Sequence, residues 1–268
     1  MGNSSRYKPL SYFALVFLLT WTPWFRAAHY SYQRGMDLYS NLFALLGLLG
    51  PFLATLIMIW SSGNQDLKRD FKQRLVDIRL IRPGYLPVIL MLMPFALLLS
   101  TWLSVVVGRS ADQFRFSRGL ATMLPIIVLP PTFEELGWRG YGMDSLRARF
   151  GMLNATLLFS VLWAAWHLPL FFIDRNYQHG LWEMSPIYVI NFFVSVLPAA
   201  ILINWLYYKN NRSIVAAILF HMSLVATSEA FQTEQFTKCI VTAVLLIISI
   251  VVVASDRAFF FDEKRTFV

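Results

Sequence analysis

The chain contains eight apolar runs, most of them long enough to cross a lipid bilayer as a helix, which takes about 20 predominantly apolar residues. The runs cover residues 10–25, 38–60, 85–107, 120–133, 152–173, 187–208, 214–227 and 236–254, of which the fourth and seventh are short. Because lipid offers no hydrogen-bond partners, backbone groups in a bilayer must pair within their own segment, which favours helices. The pattern predicts an all-α, polytopic membrane protein of about eight transmembrane helices, forming one integral-membrane domain over residues 1–268.

The composition excludes an ordinary soluble domain. Hydrophobic residues make up 57% of the chain and charged residues 14%, whereas soluble domains carry about 25% charged residues. The formal net charge of +8 is typical of nucleic-acid-binding proteins, but basic cytoplasmic loops of membrane proteins produce it as well. We therefore expect the lipid bilayer, and not nucleic acid, as a partner. The single cysteine, Cys239, excludes an intrachain disulfide and a cysteine metal cluster.

The distribution of lysine and arginine predicts the orientation in the membrane. With eight helices, both termini and every second loop lie on the same side of the bilayer, and that side carries most of the 23 basic residues. Cytoplasmic loops are enriched in lysine and arginine. Both termini and the loop at residues 61–84 are therefore predicted to be cytoplasmic.

The same loop, residues 61–84, contains an amphipathic pattern in the stretch DLKRDFKQRLVDIRLIR. Its apolar residues Leu67, Phe71, Leu75 and Ile78 recur every three or four positions, with basic residues between them. Such a pattern is typical of a helix that lies at the membrane surface.

The stretch PPTFEELGWRG places Glu134, Glu135 and Arg139 directly after an apolar run. Charged groups at membrane depth are costly and usually functional. Glu135 and Arg139 are four residues apart, so on a helix they meet as an ion pair. Glu134 is offset by about 100° and lacks that partner, which suits a general base acting on water. The alternative is that all three form a solvated helix end at the cytoplasmic surface.

Two histidines, His167 and His221, lie within apolar runs. A lone histidine in such a position is usually an interhelical hydrogen-bonding group. Together with Glu134, the two histidines lie on three different helices and would converge on one water molecule or one metal ion. Two histidines and a carboxylate suit zinc, although the H-E-x-x-H signature of zinc proteases is absent. The residues favour neither a single zinc ion nor metal-free activation of water.

Three motifs, EELGWRG, WAAWHLPL and ILFH, resemble in order and spacing those of the CAAX prenyl protease and bacteriocin-processing family, the Abi-type intramembrane glutamate proteases. The resemblance covers about residues 120–225. It implies an all-helical endopeptidase that acts on a membrane-associated or lipidated peptide or protein. It also implies that Glu134 activates water, that Glu135 and Arg139 support it, that His167 holds the water, and that His221 polarises the scissile carbonyl.

The sequence departs from the family pattern at Val225, where an asparagine commonly follows the histidine by four residues. Valine cannot donate a hydrogen bond, and loss of one oxyanion donor lowers turnover by about 10²–10³ in a serine protease. A slow protease, a protease with another donor such as Ser223 or Ser228, and a non-catalytic scaffold or bacteriocin-immunity protein are all compatible with this departure. A proton- or ion-coupled transporter is a further alternative, because intramembrane Glu and His also build proton relays.

Overall fold

The computed structural model describes residues 7–117 and 119–262. Within these residues no β-strand forms, and one isolated bridge joins Phe116 to Phe231. The predicted all-α class is therefore confirmed. The helices are α1 (Pro9–Ser31), α2 (Asp37–Leu48), α3 (Gly50–Ser61), α4 (Gln65–Val76), α5 (Leu86–Val106), α6 (Leu124–Gly137), α7 (Met143–Arg147), α8 (Met152–Trp166), α9 (Tyr177–Met184), α10 (Pro186–Lys209), α11 (Ile214–Ala230), α12 (Gln235–Ser255) and α13 (Arg257–Phe261).

Each of the eight apolar runs corresponds to one of the longer helices, except that the second run is divided between α2 and α3, which are bent by 42°. By length and composition, the described residues contain 4 helices able to cross a membrane, or up to 5 if the bent pair is one span. The remaining helices are too short, such as α6 with 14 residues and α11 with 17 residues, or more polar, such as α1. The polytopic membrane class is confirmed, with fewer full-length spans than the eight runs suggest.

Contacts between the segments that connect the helices show that successive long helices run in opposite directions. One set of connecting segments, called here the Arg212 end, is joined by hydrogen bonds of Arg212 to Asp70 and of Arg82 to Asn210. The opposite set, the Tyr177 end, is joined by Asp174 with Ser31, Ser117 with Ala230, and Tyr177 with Gln235. The two ends therefore define the two sides of the bundle.

Helix α4 confirms the predicted amphipathic helix but corrects its surroundings. Leu67 and Phe71 are buried in the protein core, whereas Ile78 lies beyond the helix and is exposed. The buried face also carries Arg74, which donates to the backbone carbonyls of Arg139 and Gly140 at 2.6 and 3.0 Å. The apolar face of α4 thus packs on the protein and not on lipid, because Arg74 ties it to the segment after α6.

Reporter fusions test the orientation that the charge distribution predicts. A reporter fused after Val268 is expected to report a cytoplasmic location, together with the whole Arg212 end. Both chain termini lie outside the described residues, as do Arg6, Arg118, Lys264 and Arg265 from the charge count. A signal from the exterior side would reverse the predicted orientation and make the Tyr177 end cytoplasmic.

Candidate active site

The last turn of α6 is enclosed by protein. Glu134 and Glu135 are 6% and 0% exposed, and Arg139, in a π-helical turn at Trp138–Gly142, is 0% exposed. Such π turns occur frequently at functional sites. The turn lies close to α3, where the Thr55 hydroxyl donates to the Gly137 carbonyl at 3.0 Å. The alternative of a solvated helix end is therefore wrong, because α3 and α4 cover this segment.

The predicted ion pair forms at the centre of this buried segment. Glu135 Oε2 lies 2.7 Å from a terminal guanidinium nitrogen of Arg139, although without the alignment of a hydrogen bond. The other carboxylate oxygen, Oε1, is 2.9 Å from Nδ1 of His221. Since an ionised carboxylate only accepts, Nδ1 of His221 must donate. Glu135 thus connects Arg139 of the π turn to His221 of α11.

A second partner of Arg139, Asn204 of α10, was not predicted from the sequence. The Asn204 side-chain oxygen accepts from Arg139 at 2.8 Å, and the Asn204 amide donates to the Thr156 hydroxyl at 3.3 Å. The Arg139 guanidinium also lies 4.9 Å from the ring centre of Phe159. An amide within the apolar run 187–208 was the signal available in the sequence.

Among the described residues Glu134 forms no ion pair with an arginine, and it accepts hydrogen bonds from two indoles. Trp163 Nε1 donates to Glu134 Oε2 at 2.8 Å, and Trp138 Nε1 donates to the same oxygen at 3.4 Å. Among the described residues, both hydrogen bonds to Glu134 therefore end on Oε2. No hydrogen bond from the described residues ends on the other oxygen, Oε1.

His167 lies at the end of α8 and not in the middle of a helix, as its position in the apolar run suggested. Its Nδ1 is 2.8 Å from the Trp163 carbonyl, which can only accept, so Nδ1 carries a proton. Its ring packs edge-on against Phe192 of α10, with ring centres 5.3 Å apart. The backbone continues as a 3₁₀ turn, Leu168–Phe172, in which Pro169 lacks the N–H needed to extend the α-helix.

Trp163 brings the three predicted groups together. Its indole bonds Glu134, and its ring centre lies 5.6 Å from that of His221 and 6.1 Å from that of His167. Within the described residues, however, no three His, Cys, Asp or Glu side chains are arranged to hold a metal ion. Since Nδ1 of His221 is bound to Glu135 and Nδ1 of His167 to the Trp163 carbonyl, each ring offers Nε2 to a ligand. As the structure places them, these side chains do not form the three-ligand zinc site suggested by the sequence.

A cavity of about 260 Å³ extends from these residues towards the Tyr177 end. Trp163, His167 and His221 line it, and Glu134, which is not among the lining residues, is hydrogen-bonded to Trp163. Most of the remaining wall is apolar and comes from α5, α10, α11 and α12, including Met93, Leu97, Val196, Leu224, Val241 and Leu245. The cavity therefore opens away from the Arg212 end, which the charge distribution predicts to be cytoplasmic.

Val225 is not among the described residues that line this cavity. Ser223 donates to the Leu90 carbonyl at 3.1 Å. Ser228 lines the cavity, but it lies seven residues beyond His221, about 10 Å along the helix. Neither serine is therefore placed to replace the missing asparagine beside His221.

A buried charge network at the Arg212 end supports the π turn. Asp144 of α7 contacts Arg74 at 3.3 Å and Arg212 at 2.6 Å, and it accepts from the Tyr208 hydroxyl at 2.8 Å. Burial alone would raise the pKa of the Asp144 carboxyl, but Arg212 and Arg74 outweigh it and keep that pKa below its usual value. The ionised Asp144 thus holds Arg74 against the π-turn carbonyls.

Comparisons with known proteins identify the family of the chain. A family model described as Type II CAAX prenyl endopeptidase Rce1-like matches residues 116–227, which include all five predicted site residues. The CAAX prenyl protease 2 of Methanococcus maripaludis is 39% identical over 272 residues, covering 98% of this chain and 99% of the relative. No observation favours the non-catalytic alternative. The chain therefore belongs to the CAAX prenyl protease family and is an intramembrane endopeptidase of that type.

Proposed function

We propose that this protein hydrolyses a peptide bond near the C-terminus of a prenylated substrate, with Glu134 as the base that activates water. The observation that carries the proposal is the juxtaposition, around Trp163, of the buried Glu134 carboxylate with two histidines that line the inner end of an apolar cavity. The relative's name, CAAX prenyl protease 2, supports the substrate class. The apolar wall suits a lipid chain attached to the peptide.

Glu134 would take a proton from water through Oε1, because Oε2 is engaged by two indoles. The water oxygen then bonds to the scissile carbonyl carbon, and the carbonyl π electrons move to oxygen. When the C–N bond breaks, the same carboxyl returns its proton to the leaving amine. A positioned general base contributes about 10²–10⁴-fold to such a reaction.

His221 would stabilise the oxyanion through Nε2, because Nδ1 is committed to Glu135. Only the protonated imidazole donates from both nitrogens, and the Glu135 carboxylate stabilises that form. Arg139 and Asn204 in turn fix the position of Glu135. Glu135, Arg139 and Asn204 are therefore positioning residues that act through His221.

His167 would hold the attacking water. Its Nδ1 donates to the Trp163 carbonyl, so in the neutral ring Nε2 is the accepting nitrogen. The ring is fixed between Trp166 and Phe192, with centres at 4.7 and 5.3 Å. A water molecule between His167 Nε2 and Glu134 Oε1 would then be oriented by both groups.

A cleavage assay with a metal chelator tests this proposal. A farnesylated peptide ending in Cys and three further residues should be cleaved by the purified protein in liposomes. We expect the rate to be unchanged after incubation with a strong chelator, because the described side chains lack a three-ligand metal site. The same peptide without the farnesyl group, as the control, should be cleaved more slowly. Loss of activity on chelation, with recovery on adding zinc, would contradict the metal-free mechanism.

The direction of the cavity bears on where this reaction occurs. If lipidation takes place in the cytoplasm, a prenylated protein is cytoplasmic when it is processed. The cavity, however, opens at the Tyr177 end, which the charge distribution places on the exterior side. The reporter fusion described above therefore decides which membrane face supplies the substrate. A cytoplasmic Tyr177 end would agree with a cytoplasmic substrate and would overturn the orientation predicted from charge.

A further inference from the structure

The mouth of the cavity contains a lysine that the proposed chemistry does not use. Lys238, in the first turn of α12, lines the cavity, and no arginine of residues 7–117 and 119–262 does so. Its ammonium lies 4.6 Å from the ring centre of Tyr177 and donates to the Tyr177 hydroxyl at 3.4 Å. The Tyr177 hydroxyl in turn donates to Gln235 at 3.2 Å. A cation is thus held at the cavity mouth by neutral groups.

No carboxylate of the described residues lies within ion-pair distance, 4.0 Å, of the Lys238 ammonium. Glu234, four residues earlier on α12, is paired instead with Arg109 at 4.0 Å. Glu229 also lines the cavity, from the end of α11, and is likewise not paired with Lys238. The ammonium is therefore available to an anionic ligand on its own side of the mouth.

We propose that Lys238, supported by Tyr177, binds the C-terminal carboxylate of the substrate. This inference rests on the proposed function and adds the feature by which the enzyme recognises the end of the chain. A C-terminal C-a-a-X sequence has three residues after the lipidated cysteine and ends in a free carboxylate. Ammonium–carboxylate contacts are charge-assisted and stronger than neutral hydrogen bonds.

The length of the cavity agrees with this assignment. From His221 to Glu229, at the mouth, α11 rises about 12 Å over eight residues. Three extended residues span about 10 Å. A peptide whose scissile carbonyl lies beside His221 therefore reaches the mouth with its C-terminus, where Lys238 is located. Such a clamp would fix the cleavage position by distance from the chain end.

The test compares two farnesylated peptides that differ only at the C-terminus, one a free acid and the other an amide. Wild-type protein should cleave the acid with about tenfold higher kcat/KM, mainly through a lower KM. Lys238→Met should lower kcat/KM for the acid about tenfold and leave kcat/KM for the amide unchanged, whereas Lys238→Arg should retain the preference for the acid. Arg115→Met, which removes an exposed charge at the same end outside the cavity wall, should change neither substrate.

Binding of the same two peptides to Glu134→Gln protein separates this inference from the proposed catalytic role. The carboxylate clamp is supported if Glu134→Gln protein binds the acid peptide more tightly than the amide peptide, and if the double variant Glu134→Gln/Lys238→Met binds both with equal affinity. That result does not depend on whether Glu134 is the base. Equal binding of acid and amide, or equal losses on both in Lys238→Met, would overturn it.

Discussion

Glu134→Gln is expected to lower peptide hydrolysis by at least about 10³-fold while leaving the protein folded. Glutamine has nearly the same shape, and its carbonyl oxygen still accepts the hydrogen bonds from Trp163 and Trp138. It cannot, however, take a proton from water. Single-turnover cleavage of a farnesylated peptide measures the loss, and thermal unfolding in detergent checks the fold.

Glu183→Gln provides a matched control, because it makes the same chemical change at an exposed site on α9. It should leave both the rate and the unfolding temperature unchanged. Wild-type turnover in a folded Glu134→Gln protein would show that the base is a different residue. A protein that is inactive because it is unfolded would be recognised from its melting curve.

Glu135→Gln is expected to reduce stability as well as activity. Both side chains of the Glu135–Arg139 pair are fully buried, and removing one partner of a buried ion pair costs about 3–5 kcal/mol. The substitution leaves the Arg139 charge without a carboxylate partner among the described residues, although the Asn204 oxygen and the Phe159 ring remain beside it. It also removes the negative charge that stabilises protonated His221, so turnover should fall in whatever protein remains folded.

Equilibrium unfolding in detergent gives the free-energy change. Asp66→Asn is the comparison, since the Asp66–Arg69 pair is exposed and its loss should change stability by less than about 1 kcal/mol. The double variant Glu135→Gln/Arg139→Met should be more stable than Glu135→Gln alone, because no unpaired charge then remains. Equal effects of Glu135→Gln and Asp66→Asn would contradict the buried ion pair.

Local spacing was sufficient to predict the features that depend on a single helix. The four-residue separation of Glu135 and Arg139 predicted their ion pair, and the pattern at Leu67 and Phe71 predicted an amphipathic helix. Both follow from the period of the α-helix. The helical period does not show what a helix face packs against. The sequence therefore predicts that α4 faces lipid, whereas in the structure it packs on the π turn.

The contacts that assemble the site come from distant parts of the chain. Trp163 and Glu134 are 29 residues apart, and Arg139 and Asn204 are 65 residues apart. Neither pairing has a signature in local periodicity. Trp163 in an apolar motif looks like an ordinary core residue, although its indole N–H required a partner. Local periodicity also does not show whether Glu134 and the two histidines converge, since side-chain convergence depends on how three helices pack.

In the proposed mechanism, Glu134-activated water cleaves the bond after the prenylated cysteine, and the products identify that bond directly. Farnesylated peptide is incubated with the enzyme in ¹⁸O-labelled water for a single turnover and examined by mass spectrometry. The expected products are a free C-terminal tripeptide and a peptide ending in farnesylated cysteine, with one ¹⁸O in the new carboxyl group. Cleavage at another bond, or the same products from Glu134→Gln at the wild-type rate, would contradict this mechanism.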